Sequence, residues 1–417
     1  MKRLRQSALI FYAAIVGGFV LLTWWVLEAG KSLEIGRVLR QAMPLSQQTF
    51  FSDILHNLHH PLSILFLQIV AIIVISRVFG FFLSKIGQPV VIGEILAGIA
   101  LGPSLLGWLL PGVSGFLFPH ASLANLHFLS QLGLVLFMFV VGLELDIKSL
   151  KNKAHNAVII SHASIIIPFF LGVALSYFLY REFAPHHIPF AAFSLFMGIA
   201  MSITAFPVLA RIVQERGLSK KPLGILVITC AAADDVTAWC ILAGVIAIVK
   251  AGAIKPAIAT ILISVVYLLG MFYVVKPLMK KIGRRYENRE VLSRQVVALA
   301  LVTLVLSAWI TEVIGIHALF GAFLAGVVMA DSLSYKNKLI EKIEDVALVL
   351  LLPLFFGFSG LRTQIGLLNT YYAWAVCFAI TGVAILGKLG GSSIAAKVVG
   401  QSWKDSIMLR VVVCTPG

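Results

Sequence analysis

Two adjacent aspartates, Asp234 and Asp235, lie inside an apolar run that covers roughly residues 223–249. At about 1.5 Å of rise per helical residue, a run of this length can cross a bilayer. An ionised carboxylate at bilayer depth is costly, so such residues usually face an aqueous cavity and take part in ion or proton chemistry. An exposed helix end is the alternative, but the apolar residues on both sides of the pair disfavour it.

The geometry of a helix separates the roles of the two carboxylates. Adjacent helical residues point about 100° apart, so Asp234 and Asp235 cannot present the same face. One can face a cavity while the other meets a positive charge on a neighbouring helix. Lys388, within the apolar residues 383–390, is a good candidate for that charge.

Composition and the placement of charge support a membrane protein. The chain is 60% hydrophobic and 12% charged, and its mean hydropathy is +0.99. The net charge of +15 could suggest a nucleic-acid partner. However, Lys and Arg lie in short loops between apolar runs, where they act as topology signals, and we expect no nucleic acid.

The apolar runs predict thirteen spans, of which the last begins near residue 404 and is incomplete. Residues 1–30 are predicted as a retained membrane helix rather than a cleaved signal peptide, because the run at 7–27 is longer than a signal-peptide core. Residues 31–61 are predicted to be external, and 62–417 to form one polytopic domain. Lys and Arg concentrate in the loops on the side of the N-terminus, which predicts a cytoplasmic N-terminus. The other spans are predicted at 62–84, 88–108, 126–146, 156–181, 190–214, 222–250, 256–279, 293–314, 316–331, 345–361 and 371–398.

An internal repeat connects two parts of the chain. Gly-Glu-Ile-Leu-Ala-Gly at 93–98 matches Gly-Ala-Phe-Leu-Ala-Gly at 321–326, and Val-Gly-Leu-Glu at 141–144 matches Ser-Gly-Leu-Arg at 359–362. The matched spans differ by seven in order, so they are predicted to cross the membrane in opposite directions. Inverted repeats are typical of secondary transporters, whose substrate site lies at mid-depth between the halves.

A helix break is predicted one span before the aspartates. Pro207 removes a backbone donor and disfavours helical geometry at Phe206, which leaves nearby carbonyls without intrahelical partners. Ser202 and Thr204 add oxygen atoms near the break. Such carbonyls are tolerated in a membrane where they line a cavity or meet protein, so we expect a broken helix that helps to hold a cation.

A matching break is expected after the span that contains Lys388, and Thr415 and Pro416 fall there. In the first half, a full span follows the break. No counterpart follows Pro416, so we expect the natural protein to be longer and this chain to be truncated at its C-terminus.

Several motifs together resemble the monovalent cation:proton antiporters of the second cation/proton antiporter family, in its Kef/NapA branch. The resemblance covers roughly residues 62–410. Its marks are Gln-Pro-Val-Val-Ile-Gly-Glu-Ile-Leu-Ala-Gly at 88–98, Gly-Leu-Glu-Leu-Asp at 142–146, Thr-Ala-Phe-Pro at 204–207, Asp-Asp at 234–235, Gly-Ile-His-Ala-Leu-Phe-Gly-Ala-Phe at 315–323, and Phe-Phe at 355–356 with Ser-Gly-Leu-Arg-Thr at 359–363.

The resemblance implies a fold and a division of roles. The expected fold is an all-α polytopic membrane protein with an inverted repeat, built from a dimerisation domain and a core with two crossed, broken helices. In family members with an Asp-Asp pair, the second aspartate binds the cation and the first pairs with a membrane lysine. That assigns cation binding to Asp235, and makes Asp234 the partner of Lys388. Residues 413–417, Val-Cys-Thr-Pro-Gly, depart from the Asn-Thr-Arg-Gly-like motif of the second break.

We therefore predict a homodimeric antiporter of a bacterial inner membrane, which exchanges a monovalent cation for H⁺. Na⁺ is the expected cation, and K⁺ and Li⁺ are the alternatives. It is expected to need no cofactor and to perform no covalent chemistry, so it is not predicted to be an enzyme. The alternatives are a monovalent cation channel and an inactive truncated fragment of an antiporter. An intramembrane aspartyl protease is disfavoured, because its carboxylates must converge from separate helices. Glu94 is expected to have a structural hydrogen-bonding role near a helix end.

Overall fold

The computed structural model describes residues 2–31, 57–145, 154–203, 206–218, 221, much of 224–245, 255–286, 292–329 and 333–398, and its regular elements there are helices. Packing divides the chain into two units, Met1–His60 and Pro61–Gly417. The first unit contains α1 (Lys2–Gly30), whose apolar side chains, Trp24 and Trp25 among them, are largely exposed. An apolar helix with exposed apolar side chains is suited to lipid.

The second unit contains all the remaining helices. In chain order they are α2 (Pro61–Lys85), α3 (Val90–Leu101), α4 (Leu106–Leu109), α5 (Pro111–Leu117), α6 (His120–Glu144), α7 (Ala154–Phe183), α8 (Phe190–Ser202), α9 (Phe206–Glu215), α10 (the described residues from 224 to 245), α11 (Lys255–Gly270), α12 (Lys276–Tyr286), α13 (Arg294–Ile314), α14 (Ala318–Val328), α15 (Leu333–Asp345), α16 (Leu352–Leu361) and α17 (Tyr371–Val398). π-Helical turns join α11 to α12 and α15 to α16.

Eight helical segments in the described part of the chain are long and apolar enough to span a membrane. They contain α2, α3 with α4, α6, α7, α11 with α12, α13, α15 with α16, and α17, and each covers most of a predicted span. The predicted spans at 190–214 and 316–331 contain shorter apolar helices, α8 and α14. The prediction of an all-helical membrane protein is therefore confirmed, whereas the predicted span from residue 404 lies outside the described residues.

The helices of the second unit pack as two bundles. We call one the core; it contains α7, α8 and α17, and α7 is packed along both α8 and α17. We include α10, which is joined to α7 by a hydrogen bond between Ser164 and Asp234, and α9, which continues α8 in the chain and packs against α3 and α6. The other, which we call the panel, contains α2, α3, α6, α13, α14, α15 and α16. Its main contacts join α14 to α6 and α13, and α3 to α2 and α16. Apolar side chains fill the space between the bundles, and the ring of Phe206 in α9 lies 5.3 Å from that of Phe323 in α14.

In the panel, α14 crosses α6 where both helices carry glycine. A Cβ atom added at Gly142 would collide with the carbonyl of Phe323 and come within 3.1 Å of the Cα atom of Gly326. A Cβ atom added at Gly326 would collide with the carbonyl of Phe139. Glycine at these positions lets the two backbones touch, which is how small residues bring membrane helices together.

The second crossing in the panel, between α3 and α16, has the same contacts. A Cβ atom at Gly360 would collide with the carbonyl of Ile95 and come within 3.0 Å of the Cα atom of Gly98. A Cβ atom at Gly98 would collide with the carbonyl of Gly357. The packing of these helices therefore uses the same motif positions as the first crossing.

The two crossings are related by the internal repeat. Gly98 and Gly326 close matching motifs, and Gly142 and Gly360 hold the same place in the other matching pair. Each crossing takes one helix from each half of the chain, so exchanging the halves exchanges the crossings. This reciprocity is the pattern that a pseudo-two-fold axis produces, and it supports the predicted repeat.

Candidate functional site

The helix before the aspartates is broken in the structure. α8 ends at Ser202, Ile203 is extended with φ −63° and ψ 134°, and α9 begins at Phe206. Phe206 was expected to leave helical geometry, but the extended residue is Ile203, earlier in the chain. Pro207 lies in the first turn of α9, where its missing N–H removes no intrahelical hydrogen bond, so the proline marks the start of a helix. Thr204 lies outside the described residues.

Lys388 reaches this break from α17. Its side chain is buried, and its Nζ atom donates a hydrogen bond to the carbonyl of Ile203. The last carbonyls of a helix have no intrahelical donor, so the break supplies an acceptor for the ammonium group. Gly391 lets α17 approach α7 closely, because a Cβ atom there would lie 2.6 Å from the carbonyl oxygen of Ala163.

Asp234 lies on α10 and is 1% exposed. Its Oδ2 atom accepts a hydrogen bond of 2.9 Å from the hydroxyl of Ser164 on α7. Ser164 follows Ala163, the residue that α17 contacts at Gly391, so α7 connects the aspartate helix to the lysine helix. A buried carboxylate needs such donors, because burial removes its hydration.

Asp235 is half-buried, and it lies within electrostatic range of both Asp234 and Lys388. The difference in exposure between the two aspartates matches their angular separation on a helix. Ser202 lies at the end of α8, and its buried hydroxyl donates to the carbonyl of Ile199 at 3.0 Å. The structure thus places Lys388 directly at the helix break, and Asp235 lies within electrostatic range of that lysine. The ion pair between Asp234 and Lys388 stays a prediction.

Sequence reasoning missed two groups of this site, the Ser164 hydroxyl and the Ile203 carbonyl. The only sequence feature that could have indicated the hydroxyl is that Ser164 is a polar residue inside an apolar span. The carbonyl belongs to the backbone, so no residue type in the sequence indicates it. The predicted second break at Thr415 and Pro416 lies outside the described residues.

These groups can bind a cation and a proton in turn. Carboxylate, carbonyl and hydroxyl oxygens are suitable ligands for alkali cations, and a carboxylate can exchange its cation for a proton. Na⁺, K⁺ or Li⁺ would be cargo here. The broken helix places its carbonyl beside the buried charges, as in transporters that coordinate ions with unwound backbone.

The chain as a whole is similar to known proteins. Residues 60–417 match the family model described as the transmembrane sodium/hydrogen exchanger. The Na(+)/H(+) antiporter NhaS4 of Synechocystis sp. is 42% identical over 351 residues, which cover 84% of this chain and 86% of that protein.

More distant relatives share the same region. Cation/H(+) antiporter 17 of Arabidopsis thaliana is 37% identical over 86% of this chain, and K(+)/H(+) antiporter 1 of Saccharomyces cerevisiae is 32% identical over 87%. The chain spans 44% and 42% of their respective lengths. Among solved structures, the sodium proton antiporter MjNhaP1 of Methanocaldococcus jannaschii matches with a TM-score of 0.59 and 16% identity, over 84% of this chain and 83% of that one. The likeness to MjNhaP1 shows a shared fold.

Proposed function

The chain belongs to the transmembrane sodium/hydrogen exchanger family, and on that premise we propose that it exchanges Na⁺ for H⁺ by alternating access. It is an integral membrane protein with the helical fold of this family. In our proposal the core moves against the panel and exposes one site to each side of the membrane in turn.

The observation that carries the proposal is the contrast within the aspartate pair. Asp234 is buried and accepts a hydrogen bond from Ser164, whereas Asp235 is half-buried and lies near the charge of Lys388. We therefore assign cation binding to Asp235, the less buried residue of the pair. Na⁺ and H⁺ would compete for it, and that competition couples the two fluxes without covalent chemistry.

Na⁺ is our first choice of cation because the NhaS4 relative is named as a Na(+)/H(+) antiporter. The yeast relative is named as a K(+)/H(+) antiporter, which supports K⁺ as the alternative. Li⁺ stays in the set because oxygen ligands serve all three ions. We further propose a homodimer in a bacterial inner membrane with a cytoplasmic N-terminus; the cyanobacterial relative supports a bacterial origin.

Transport in proteoliposomes tests the proposal. External Na⁺ should raise the lumenal pH of vesicles that contain the protein, because Na⁺ enters as H⁺ leaves, and K⁺ and Li⁺ are tested separately. Protein-free vesicles are the control. Cation entry without proton movement would favour a channel, and no response to any of the three ions would refute the proposed exchange.

A further inference from the structure

The connection between α3 and α6 contains no charged side chain. Residues 95–143, which include this connection and most of both helices, have no Asp, Glu, Lys or Arg. We call the connection, residues 102–119, the wedge; it consists of α4, α5 and the turns around them. Charged residues are normally exposed to water, and a connection of this length without them has the composition of a membrane span.

The wedge exposes large apolar side chains. Trp108 is 75% exposed, and the other exposed members are Leu105, Leu109, Leu110 and Val113. An exposed apolar patch of this kind marks contact with a membrane or with another protein. The depth of the wedge relative to the spanning helices distinguishes these two possibilities.

The length of α3 indicates that the wedge begins inside the membrane. The N–H of Val90, at the start of α3, donates to the carboxylate of Glu215 at 2.9 Å, so this end of the helix lies among charged groups. α3 has 12 residues and therefore rises about 18 Å, whereas the hydrocarbon core of a bilayer is about 30 Å thick. Gly102, with ψ −170°, ends the helix. The wedge thus begins about 12 Å short of the opposite boundary.

The packing of α3 against α2 gives a similar depth. A Cβ atom added at Gly93 would lie 2.6 Å from the backbone nitrogen of Gly80, so the two antiparallel helices meet at these residues. Leu101, eight residues after Gly93, belongs to the same apolar cluster as Ile72, eight residues before Gly80. Ile72 lies about 16 Å from the start of α2 at Pro61. α3 therefore ends well below the outer end of α2.

A buried glutamine holds the other end of the wedge at a comparable depth. Nε2 of Gln68, on α2, donates to the carbonyl of Leu117 at 2.8 Å and to the hydroxyl of Ser122 at 2.6 Å. A buried carboxamide requires such partners because burial removes its hydration. Gln68 lies about 10 Å along α2 from Pro61. The last residues of the wedge and the first turn of α6 are therefore also below the end of α2.

Side-chain hydrogen bonds also fix the start of the wedge. The hydroxyl of Ser104 donates to the carbonyl of Thr363 at 2.6 Å and accepts from the N–H of Ile365 at 3.0 Å. The wedge is thus attached to the turn after α16 at one end and to α2 at the other. Because its backbone is held at both ends, Trp108 and its apolar neighbours stay on the outside of the panel.

The corresponding connection in the other repeat has a different character. α14, which matches α3, has 11 residues, and the next helix, α15, begins at Leu333. α15 contains six charged residues, Lys336, Lys338, Glu341, Lys342, Glu344 and Asp345. The repeat itself therefore does not require an uncharged connection, and the wedge is a feature of the first half.

We propose that the wedge is embedded in the lipid of one leaflet without crossing the membrane, and that acyl chains of this leaflet cover Trp108 and its apolar neighbours. At the depth of the wedge the medium around the panel is hydrocarbon, where exposed apolar side chains are favourable. The charge bias of the loops predicts the outer leaflet. The proposal depends on the membrane-spanning fold and is independent of the proposed ion exchange.

Quenching of tryptophan fluorescence by brominated lipid tests the proposal. The purified full chain is reconstituted in vesicles of phosphatidylcholine with brominated acyl chains. The emission of Trp108 is the difference between the unmodified protein and Trp108→Phe. It should lose most of its intensity in brominated vesicles and little when the water-soluble quencher acrylamide is added. Leu109→Trp, made in the Trp108→Phe background, repeats the measurement at a neighbouring exposed position.

Asn337→Trp in the same background is the matched control, because Asn337 is exposed on the charged helix α15. Its emission should be quenched by acrylamide rather than by brominated lipid. Circular dichroism verifies the helical content of each variant. Quenching of the wedge tryptophans by acrylamide alone would place the wedge in water. Protection from both quenchers would show that protein, such as a second copy of the chain, covers it. Either result would overturn the proposal.

Discussion

Helices of the panel and of the core both meet at glycines, but the glycine contact of the core lies beside the lysine and the aspartate pair of the candidate ion site. In the panel, Gly142 and Gly360 bring backbone against backbone with apolar side chains around them. In the core, Gly391 brings α17 against α7 next to the serine that donates to Asp234. In the panel, close contact between helices joins backbones that have apolar surroundings. In the core, close contact brings together helices that carry titratable groups.

Neutralising a core carboxylate should have the largest effect. Asp235→Asn removes the anionic ligand that a cation at bilayer depth needs, so proton-coupled cation flux in proteoliposomes should fall to the protein-free level while the protein remains folded. Glu312→Gln, which neutralises a panel carboxylate, should retain flux. Flux near the unmodified rate in Asp235→Asn would remove Asp235 from the mechanism.

Breaking the predicted pair of Asp234 and Lys388 should have the second-largest effect. Lys388→Ala leaves a buried carboxylate uncompensated, which typically costs about 3–5 kcal/mol in the free energy of unfolding. Asp234→Asn combined with Lys388→Gln should cost less than the two single changes added together. The free energy of unfolding of each purified variant is measured by denaturation, which completes a double-mutant cycle. Strictly additive losses would show that the two side chains do not interact.

The glycine crossings of the panel predict a smaller and paired effect. Gly142→Ala and Gly360→Ala each place a methyl group against a backbone carbonyl, and overpacking of this kind typically costs about 1–3 kcal/mol. The two losses should be similar because the crossings are equivalent. Gly390→Ala is the control, since no atom lies within 4 Å of its added Cβ atom. Clearly unequal losses would contradict the equivalence of the two halves.

The smallest effect is expected at the serine that joins α7 to α10. Ser164→Ala removes one hydrogen bond to Asp234, and the typical net contribution of a hydrogen bond is about 1 kcal/mol. Ser176 is the matched control on the same helix, because its buried hydroxyl bonds to the carbonyl of Val173 within α7. Only Ser164→Ala should shift the pH dependence of exchange. Equal responses of the two variants would give Ser164 a structural role only.

The sequence by itself determined the membrane class, most of the spans and the central aspartate pair. These features depend on local composition, because a helix that crosses lipid must satisfy its backbone internally and present apolar side chains over its whole length. The repeat was also readable, since the glycines that allow close crossing stand in matching motifs, and Gly98 and Gly326 both do so. Pro207 indicated a helix break, but the residue at which the helix ends could be read only from the backbone conformation.

Only the tertiary structure decided which groups share a site. Ser164 and Asp234 are 70 residues apart, and Ile203 and Lys388 are 185 apart, so their contacts depend on how α7, α10 and α17 rotate against each other. The contact of the buried Gln68 amide with the wedge likewise depends on the placement of α5 beside α2. The physical reason is that a span's hydropathy fixes its depth in the membrane, whereas the direction of each polar side chain is set by packing between helices that are distant in the chain.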